Sequence, residues 1–349
     1  MKQHLKPKNM LIYLIFLSMI YLLFYLTAFK ERKIPKPKIN DDELKNLESK
    51  FDRIKHNISC KRLFEMDRNE INRAKLLLEK QRKNSYKEEL GLIPDANYIF
   101  NQTQCELYKE IRGFNKYVKN NLITTFEYQF PLAYIILTYN NAEQFERLLL
   151  AIYRPQNIYC IHVDNKSSIV FKKAIESIVN CFDNIFITTQ LLDIVYAGYN
   201  RLQADINCMN DLLNMSSKSS RIHPNFANKR LNINWKYLIN MASSEFPLKT
   251  NYELTRILNM YNGSNEIEIL KHIGPKRISI VWKTLDFPVD GSFLYVVETN
   301  TSKASPPHGY KIAKGSAYAV FSRKFVEYAI TSQNAKDLLK WSVDTYSPD

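Results

Sequence analysis

Between residues 131 and 240, short apolar runs alternate with segments in which apolar residues recur at helical spacing. The runs predict buried strands at 131–138, 158–164, 185–187 and 235–240, and the spacing predicts helices at 142–153, 168–181 and 201–214. The alternation predicts an α/β fold whose parallel sheet has helices on both faces. Ligands of such sheets bind at the carboxyl ends of the strands. Residues 138–140 and 164–167, which follow two predicted strands, are therefore candidates for a binding site.

A separate apolar run at residues 10–29 contains no charged residue. A helix of about 20 residues spans about 30 Å, the hydrocarbon thickness of a bilayer. We predict a retained transmembrane helix rather than a cleaved signal peptide, because the run is long and 27–29 form a poor cleavage site. The predicted organisation is a cytosolic tail at 1–9, an anchor at 10–29, a stem at 30–125 and an α/β domain at 126–349.

The formal net charge of +14 at pH 7 raises the question of nucleic-acid binding. Many lysines, however, flank the apolar run, where they suit anionic lipid headgroups. Other cations lie in segments of mixed sign such as 79–87, which are typical of a solvated helical face. The charge pattern favours a membrane as partner and argues against nucleic acid.

The cysteines and the glycosylation sequons both favour a luminal domain. None of the five cysteines has Cys-x-x-Cys spacing, which argues against a zinc site. Disulfides are favoured over buried thiols in a luminal domain, although an odd number leaves one cysteine over. Asn-x-Ser/Thr sequons predict a glycoprotein and occur at Asn57, Asn101, Asn214, Asn262 and Asn300. Asn165 also fits the pattern but lies in the candidate site.

A series of sequence blocks in a fixed order resembles one family. The blocks are Ala151–Asn157, Tyr159–Asp164, Val195–Ala197, Arg201–Asp205, Asn207–Met209, Trp235–Asn240, Glu245–Asn251, Gly315–Tyr318 and Asp344–Asp349. In this order they closely resemble the core 2/I-branching β-1,6-N-acetylglucosaminyltransferases of glycosyltransferase family 14. The resemblance covers about residues 59–349.

The resemblance implies a type II Golgi membrane protein with a luminal GT-A-like domain. It implies inverting transfer of GlcNAc from UDP-GlcNAc in β-1,6 linkage to the core 1 acceptor Galβ1-3GalNAc of mucin-type O-glycans. Members of the family need no metal or other cofactor. The chain contains no Asp-x-Asp motif, which fits this expectation, since basic side chains can stabilise the charge of the leaving diphosphate.

Carried over by position, the resemblance assigns the donor pocket to Leu137, Thr138, Tyr139 and Asp164. A turn or N-cap role is the alternative for Asp164, and its place after a strand favours binding. Glu268 and Lys276 match acceptor contacts, and a solvated loop carboxylate is the alternative for Glu268. The family pattern also implies disulfides between Cys105 and Cys181 and between Cys160 and Cys208.

The family's catalytic base is a glutamate directly after the block that ends Ser347–Pro348–Asp349. We therefore expect the chain to be truncated, with the base, leaving-group cations and partner of Cys60 beyond Asp349. Residues 216–234 look longer than the corresponding join in the family. Two other hypotheses stay open. One is a catalytically silent, membrane-anchored binding protein for nucleotide sugars or glycans, and the other is a related transferase that uses another donor hexose or acts as a peptide xylosyltransferase.

Overall fold

The computed structural model describes residues 41–51, 58–83, 92–215, 233–270, 274–286 and 294–348. The chain divides into units at 1–45 and 46–349, and of the first unit only 41–45 are described. The α-helices are α1 (Asp41–Lys50), α2 (Cys60–Phe64), α3 (Arg68–Lys83), α4 (Cys105–Arg112), α5 (Lys116–Lys119), α6 (Thr125–Gln129), α7 (Ala142–Ile152), α8 (Ile169–Val179), α9 (Tyr199–Met215), α10 (Asn251–Met260), α11 (Lys276–Ser279), α12 (Arg323–Thr331) and α13 (Gln333–Ser342). The strands are β1 (Leu132–Thr138), β2 (Ile158–Val163), β3 (Ile185–Ile187), β4 (Tyr237–Ala242), β5 (Ile280–Asp286), β6 (Leu294–Ser302) and β7 (Val320–Ser322). Short 3-10 helices occur at Asp95–Tyr98, Gln102–Gln104 and Pro307–Gly309.

A five-stranded sheet in the order β3-β2-β1-β4-β7 forms the centre of the fold. Strands β1 to β4 are parallel, and β7 joins β4 in antiparallel orientation. Every residue of β2 is buried, as expected for a strand covered on both faces. The predicted mixed α/β fold with a parallel sheet is confirmed, and this arrangement fits a GT-A-like domain.

Two disulfides fix helices of this domain. Cys160 in β2 is bonded to Cys208 in α9, and both residues lie in the hydrophobic core with Trp235. Cys105 at the start of α4 is bonded to Cys181, which follows α8. The structure therefore contains both pairs that the resemblance implies, and Cys60 is an exposed free cysteine.

The segment before the sheet packs against α7 through a buried carboxylate. Glu146, with no exposed surface, accepts hydrogen bonds from Tyr98 (2.9 Å) and Tyr108 (2.8 Å). It also accepts two from the Arg112 guanidinium, each of 2.7 Å. These contacts tie residues 98–112 to the sheet domain, and the predicted stem boundary at 125 stays a prediction.

A second layer is built from the antiparallel hairpin of β5 and β6 and from residues 266–270. Isolated antiparallel bridges join Glu266 to Val320 and Leu270 to Lys314. Gly315 lies within this contact so closely that a Cβ there would be only 3.0 Å from the carbonyl carbon of Glu268 and would overlap its oxygen. Glycine is therefore required by the approach of the two backbones.

Some predictions fall outside the described residues. They include the apolar run at 10–29, the sequon asparagine Asn57 and positions 216–232 of the long join. Within the part of the chain that the structure describes, no helix has the length and apolar character to cross a bilayer.

Candidate donor and acceptor sites

The strand order predicts a crevice at the carboxyl ends of the parallel strands. The chain adds β2 and β3 on one side of β1 and then crosses to place β4 on the other side. Such a reversal is where open α/β sheets bind ligands. Beyond the strand ends, Asp164 N–H donates to the Thr138 carbonyl (2.9 Å) and Ser243 N–H to the Leu137 carbonyl (2.9 Å).

The four residues predicted for the donor lie together at this edge. Leu137 is half-buried, Thr138 is buried and Tyr139 is 63% exposed. The Thr138 hydroxyl is buried without a hydrogen-bond partner among the described residues. An unpaired buried hydroxyl is costly, so this group is free to bind a ligand.

Asp164 is nearly buried and already has protein partners. Its carboxylate accepts from the Lys166 backbone N–H (2.9 Å) and from the Lys166 ammonium (3.1 and 3.2 Å). A longer bond of 3.4 Å comes from Ile194 N–H in the segment after β3. The structure thus gives Asp164 the turn role that the sequence left as an alternative, while its position at the edge stays compatible with binding.

Large apolar side chains are exposed in the loops that follow three of the parallel strands. They are Tyr139 after β1, Tyr196 (91% exposed) after β3, and Phe246 and Leu248 after β4. Exposed rings at the carboxyl edge of such a sheet suit ligand binding, because aromatic rings stack on planar or ring-shaped ligands. Sequence reasoning missed the last three as site residues, although each of them lies in one of the blocks that resemble the family.

A hydrogen-bond network behind the crevice fixes the loop before β7. Asn240 in β4 donates to Asp205 (2.9 Å) and to the Ala317 carbonyl (2.8 Å), and it accepts from Ala319 N–H (2.8 Å). Arg201 pairs with Asp205, and its guanidinium lies 5.2 Å from the centre of the Tyr318 ring. Sequence reasoning missed this network because members in contact, such as Arg201 and Ala317, are 116 residues apart.

The predicted acceptor residues lie in the second layer but not in one cavity. Lys276 lines a cavity of about 550 Å³ with Trp282 and Tyr346, and its ammonium pairs with Glu298 at 2.9 Å. Glu268 is exposed on the segment that bridges to Lys314, and it does not line this cavity.

The segment 344–347 is held from two sides. On one side, Trp282 N–H donates to the Asp344 carbonyl (2.9 Å), and the Lys303 ammonium contacts the Asp344 carboxylate. Burial lowers the pKa of Lys303 to about 8, whereas the contact with Asp344 favours its charged form. On the other side, Ser347 N–H donates to the Ala197 carbonyl (2.7 Å) in the loop after β3.

A family model, the core-2/I-branching enzyme, matches residues 132–222 and 225–349. The chain belongs to the core-2/I-branching enzyme family. Human beta-1,3-galactosyl-O-glycosyl-glycoprotein beta-1,6-N-acetylglucosaminyltransferase 3 is 38% identical over 255 residues, which are 73% of this chain and 52% of the relative. The Danio rerio enzyme of the same name with the number 4 is 37% identical over 294 residues, which are 84% of this chain and 62% of the relative. A second human enzyme, which has the same name without a number, is 36% identical over 306 residues, which are 88% of this chain and 65% of the relative.

The chain thus spans between 52% and 65% of the length of these relatives. The family match includes both sides of the crevice, since it contains β1 to β4, β7 and the segment 344–347. Its members are branching glycosyltransferases by name, and such enzymes act on a sugar donor and a glycan acceptor. In the described part of this family member, no three His, Cys, Asp or Glu side chains are grouped so as to hold a metal ion. Metal independence stays a prediction.

Acidification is expected to destabilise this family member through His162 in β2. The side chain is fully buried, and Nε2 accepts from Leu192 N–H (3.1 Å). Burial lowers the pKa of His162 from 6.5 to about 4, against a smaller opposing effect of Asp164. The unfolded chain therefore binds the proton at higher pH than the folded chain, so stability is complete above about pH 6.5 and falls as the pH approaches 4.

The two pKa values of His162 correspond to a loss of about 3 kcal/mol in the free energy of unfolding. Urea unfolding between pH 4 and 7 measures it, and His162→Gln should flatten the pH dependence because glutamine can still accept from Leu192. The exposed His308 provides the control variant His308→Gln. If the free energy of unfolding depended on pH equally in the wild type and in His162→Gln, the prediction would be contradicted.

Proposed function

We propose that the full-length protein transfers GlcNAc from UDP-GlcNAc, with inversion and in β-1,6 linkage, to the core 1 disaccharide of mucin-type O-glycans. The proposal includes a type II anchor in the Golgi membrane and a luminal catalytic domain that needs no metal. Family membership supports GlcNAc branching. The structural observation that carries the proposal is the hydrogen bond from Ser347 to Ala197, because it joins the segment 344–347 to the crevice edge.

We assign donor binding to the central sheet and acceptor binding to the second layer. Thr138, Tyr139 and Asp164 at the strand ends would bind the uridine and its ribose, with Leu137 shaping the pocket. Lys276 and the rings of Trp282 and Tyr346 would bind the acceptor. The acceptor hydroxyl must lose a proton as it attacks, and the departing diphosphate must be stabilised. In the proposed mechanism, the segment 344–347 positions the carboxylate base that the family has directly after this block.

The decisive test uses the full-length protein from a secretory host, with UDP-GlcNAc and a core 1 aryl glycoside in the presence of EDTA. We expect a branched trisaccharide whose NMR spectrum shows a β-1,6-linked GlcNAc, formed at equal rates with and without chelator. Parallel reactions with UDP-galactose and UDP-xylose test the other donors. UDP binding by calorimetry without any transfer would favour the silent binding protein, and strict manganese dependence would overturn the metal-independent mechanism.

Asp164→Asn is expected to raise the KM for the donor about tenfold, because a hydrogen bond to a charged group contributes about 1.5–3 kcal/mol. The matched control is Asp193→Asn, since Asp193 accepts from Asn165 in the same loop region (3.0 Å) without a predicted donor contact. Steady-state kinetics with varied UDP-GlcNAc measures the effect, and thermal melting reports any loss of the Lys166 pairing. A donor KM equal to that of Asp193→Asn would leave Asp164 with the turn role alone.

A further inference from the structure

Tyr318 is an exposed aromatic residue at the carboxyl edge of the sheet, and the function proposed above gives it no role. Strand β7 runs antiparallel to β4, with Ile239 opposite Val320. The residues before β7 therefore continue alongside the last residues of β4. The Asn240 side chain, near the end of β4, contacts the backbone of both neighbours of Tyr318. Tyr318 thus lies beside the carboxyl end of β4, on the side of β4 that faces away from β1.

The backbone around Tyr318 is fixed by the side-chain amide of Asn240. The amide nitrogen donates to the Asp205 carboxylate (2.9 Å) and to the Ala317 carbonyl (2.8 Å). The amide oxygen accepts from Ala319 N–H (2.8 Å). Asn240 is buried, and a buried amide with all of these partners has one favourable orientation. The residues on either side of Tyr318 are therefore held in place before any ligand binds.

The Tyr318 ring is itself supported by Arg201. The Arg201 guanidinium lies 5.2 Å from the centre of the ring. It also pairs with the Asp205 carboxylate and donates to the Ala317 carbonyl (3.4 Å), so its own position is fixed. A cation in contact with an aromatic ring restricts the movement of that ring. Tyr318 is nevertheless 39% exposed. The ring is therefore held in position and still accessible, which is the arrangement expected of a preorganised ligand contact.

The surroundings of Arg201 place this ring at the crevice. Helix α9 joins the parallel strands β3 and β4, so it begins at the carboxyl edge of the sheet, and Arg201 lies in its first turn. Burial raises the pKa of Glu245, in the loop after β4, and the positive charge of Arg201 opposes this effect. Such an effect requires that the two charges be close to each other. Tyr318 and Arg201 thus lie between the end of β4 and the start of α9.

The neighbouring elements indicate the direction in which a donor extends along the edge. The function proposed above places the nucleoside at the ends of β1 and β2 and the acceptor in the second layer. That layer adjoins the sheet on the side of β7, through the bridge from Glu266 to Val320. Since the transferred sugar has to reach the acceptor, it extends from β1 past β4 towards Tyr318. Neighbouring strands are about 4.8 Å apart, so the backbone of Tyr318 is about two strand spacings from β1.

We propose that Tyr318 is the contact for the transferred sugar of the donor, and that Arg201 and Asn240 are positioning residues that act through it. The identity of the donor rests on the function proposed above. The C–H groups of a hexose ring pack against an aromatic ring. The uridine is bound elsewhere, at the ends of β1 and β2. Loss of the Tyr318 ring should therefore weaken the binding of a nucleotide sugar and leave the binding of the nucleotide itself unchanged.

Calorimetry with the full-length protein, using UDP and UDP-GlcNAc without acceptor, tests this contact. Tyr318→Ala should raise the Kd of UDP-GlcNAc about three- to tenfold, the range of one aromatic contact, and leave the Kd of UDP unchanged. Tyr318→Phe should retain the wild-type values because it keeps the ring. Arg201→Gln should raise the Kd of UDP-GlcNAc about twofold. This increase should disappear in the Tyr318→Ala background, because Arg201 acts through the ring.

Tyr252→Ala is the matched control. Tyr252 is 44% exposed, and the Arg256 guanidinium lies 6.0 Å from the centre of its ring, so its environment is similar to that of Tyr318. It lies at the opposite edge of the sheet, since its neighbour Asn251 accepts from Asn157, directly before β2 (3.0 Å). Tyr252→Ala should therefore change the Kd of neither UDP nor UDP-GlcNAc.

Binding and transfer, measured on the same variants, separate this inference from the transferase proposal. If Tyr318→Ala selectively weakens UDP-GlcNAc but the wild type transfers no sugar, the sugar contact stands and the proposed function fails. If the wild type transfers GlcNAc while Tyr318→Ala weakens UDP and UDP-GlcNAc equally, or weakens neither, the inference is overturned. A higher acceptor KM with an unchanged Kd of UDP-GlcNAc would assign the ring to the acceptor and also overturn it. Failure of the wild type to bind UDP-GlcNAc would overturn the contact, and an effect of Arg201→Gln that persists in Tyr318→Ala would overturn the positioning role.

Discussion

Glu146→Ala is expected to lower the free energy of unfolding by about 3–5 kcal/mol, the range found when one partner of a buried ion pair is removed. Glu146 is fully buried in α7, and its loss would leave Arg112 and the hydroxyls of Tyr98 and Tyr108 without their acceptor. Burial and the adjacent Glu146 carboxylate also raise the pKa of Tyr108 well above its ordinary value, so the tyrosine remains a proton donor.

Urea unfolding of the disulfide-bonded protein at pH 7 measures this effect. The control is Glu176→Ala on α8, whose side chain is exposed and should change stability by less than about 0.5 kcal/mol. Glu146→Gln preserves the shape and an acceptor for the tyrosines but leaves the Arg112 charge uncompensated, so it should lie between the two. Equal unfolding midpoints for Glu146→Ala and Glu176→Ala would contradict the expected contribution of this buried carboxylate to stability.

Gly315→Ala should disrupt the second layer, because it adds a methyl group where two backbones are in contact. The new Cβ would overlap the Glu268 carbonyl oxygen, and since the obstructing atoms are backbone, no side-chain rotation relieves the clash. We expect a loss of about 2–4 kcal/mol in stability, the cost of overpacking with backbone displacement. The bridges from Glu266 to Val320 and from Leu270 to Lys314 should open.

Hydrogen exchange at the amides of Leu270 and Val320 gives the local readout for Gly315→Ala, since both amides donate in those bridges. Gly274→Ala is the matched control, because a Cβ there meets no atom within 4 Å. If the protein acts as proposed, the acceptor KM should rise in Gly315→Ala while the donor KM stays constant. Protection at both amides equal to that of the wild type would show that the bridges stay closed around the added methyl group, and would contradict the prediction.

The parallel part of the sheet could be predicted from the sequence because β1 to β4 are buried strands with near-continuous apolar runs. No sequence signal indicates β7, which has three residues and is held by antiparallel pairing to β4. The hairpin of β5 and β6 was also missed, since its strands are largely exposed and lack a uniform apolar pattern. Hydrophobic periodicity indicates which residues are buried. The exposed strands β5 and β6 and the short strand β7 lack this signal, and they form because of the strands with which they pair.

The same limit applies to the site. The position of Thr138 and Asp164 at the edge of the sheet could be predicted because each lies at the end of a strand or directly after one, while their role in binding stays a prediction. Glu146 occupies a helical position that resembles a solvated face in sequence, yet partners 34–48 residues earlier in the chain make it a buried acceptor. Sequence spacing alone could likewise not bring Arg277 together with Tyr346, whose ring its guanidinium contacts, or with Thr345, which lines the same cavity as Arg277.

The double attachment of the segment 344–347 has a consequence for the order of substrate binding. One side of it is fixed to β5 through Trp282, in the proposed acceptor layer, and the other to Ala197, in the loop beyond the proposed donor edge. A ligand that orders either neighbour lowers the entropy that the other ligand must still remove, so the two affinities become thermodynamically linked. Occupancy of the nucleotide site would then tighten glycan binding, and by reciprocity a bound glycan would slow the escape of an unreacted donor.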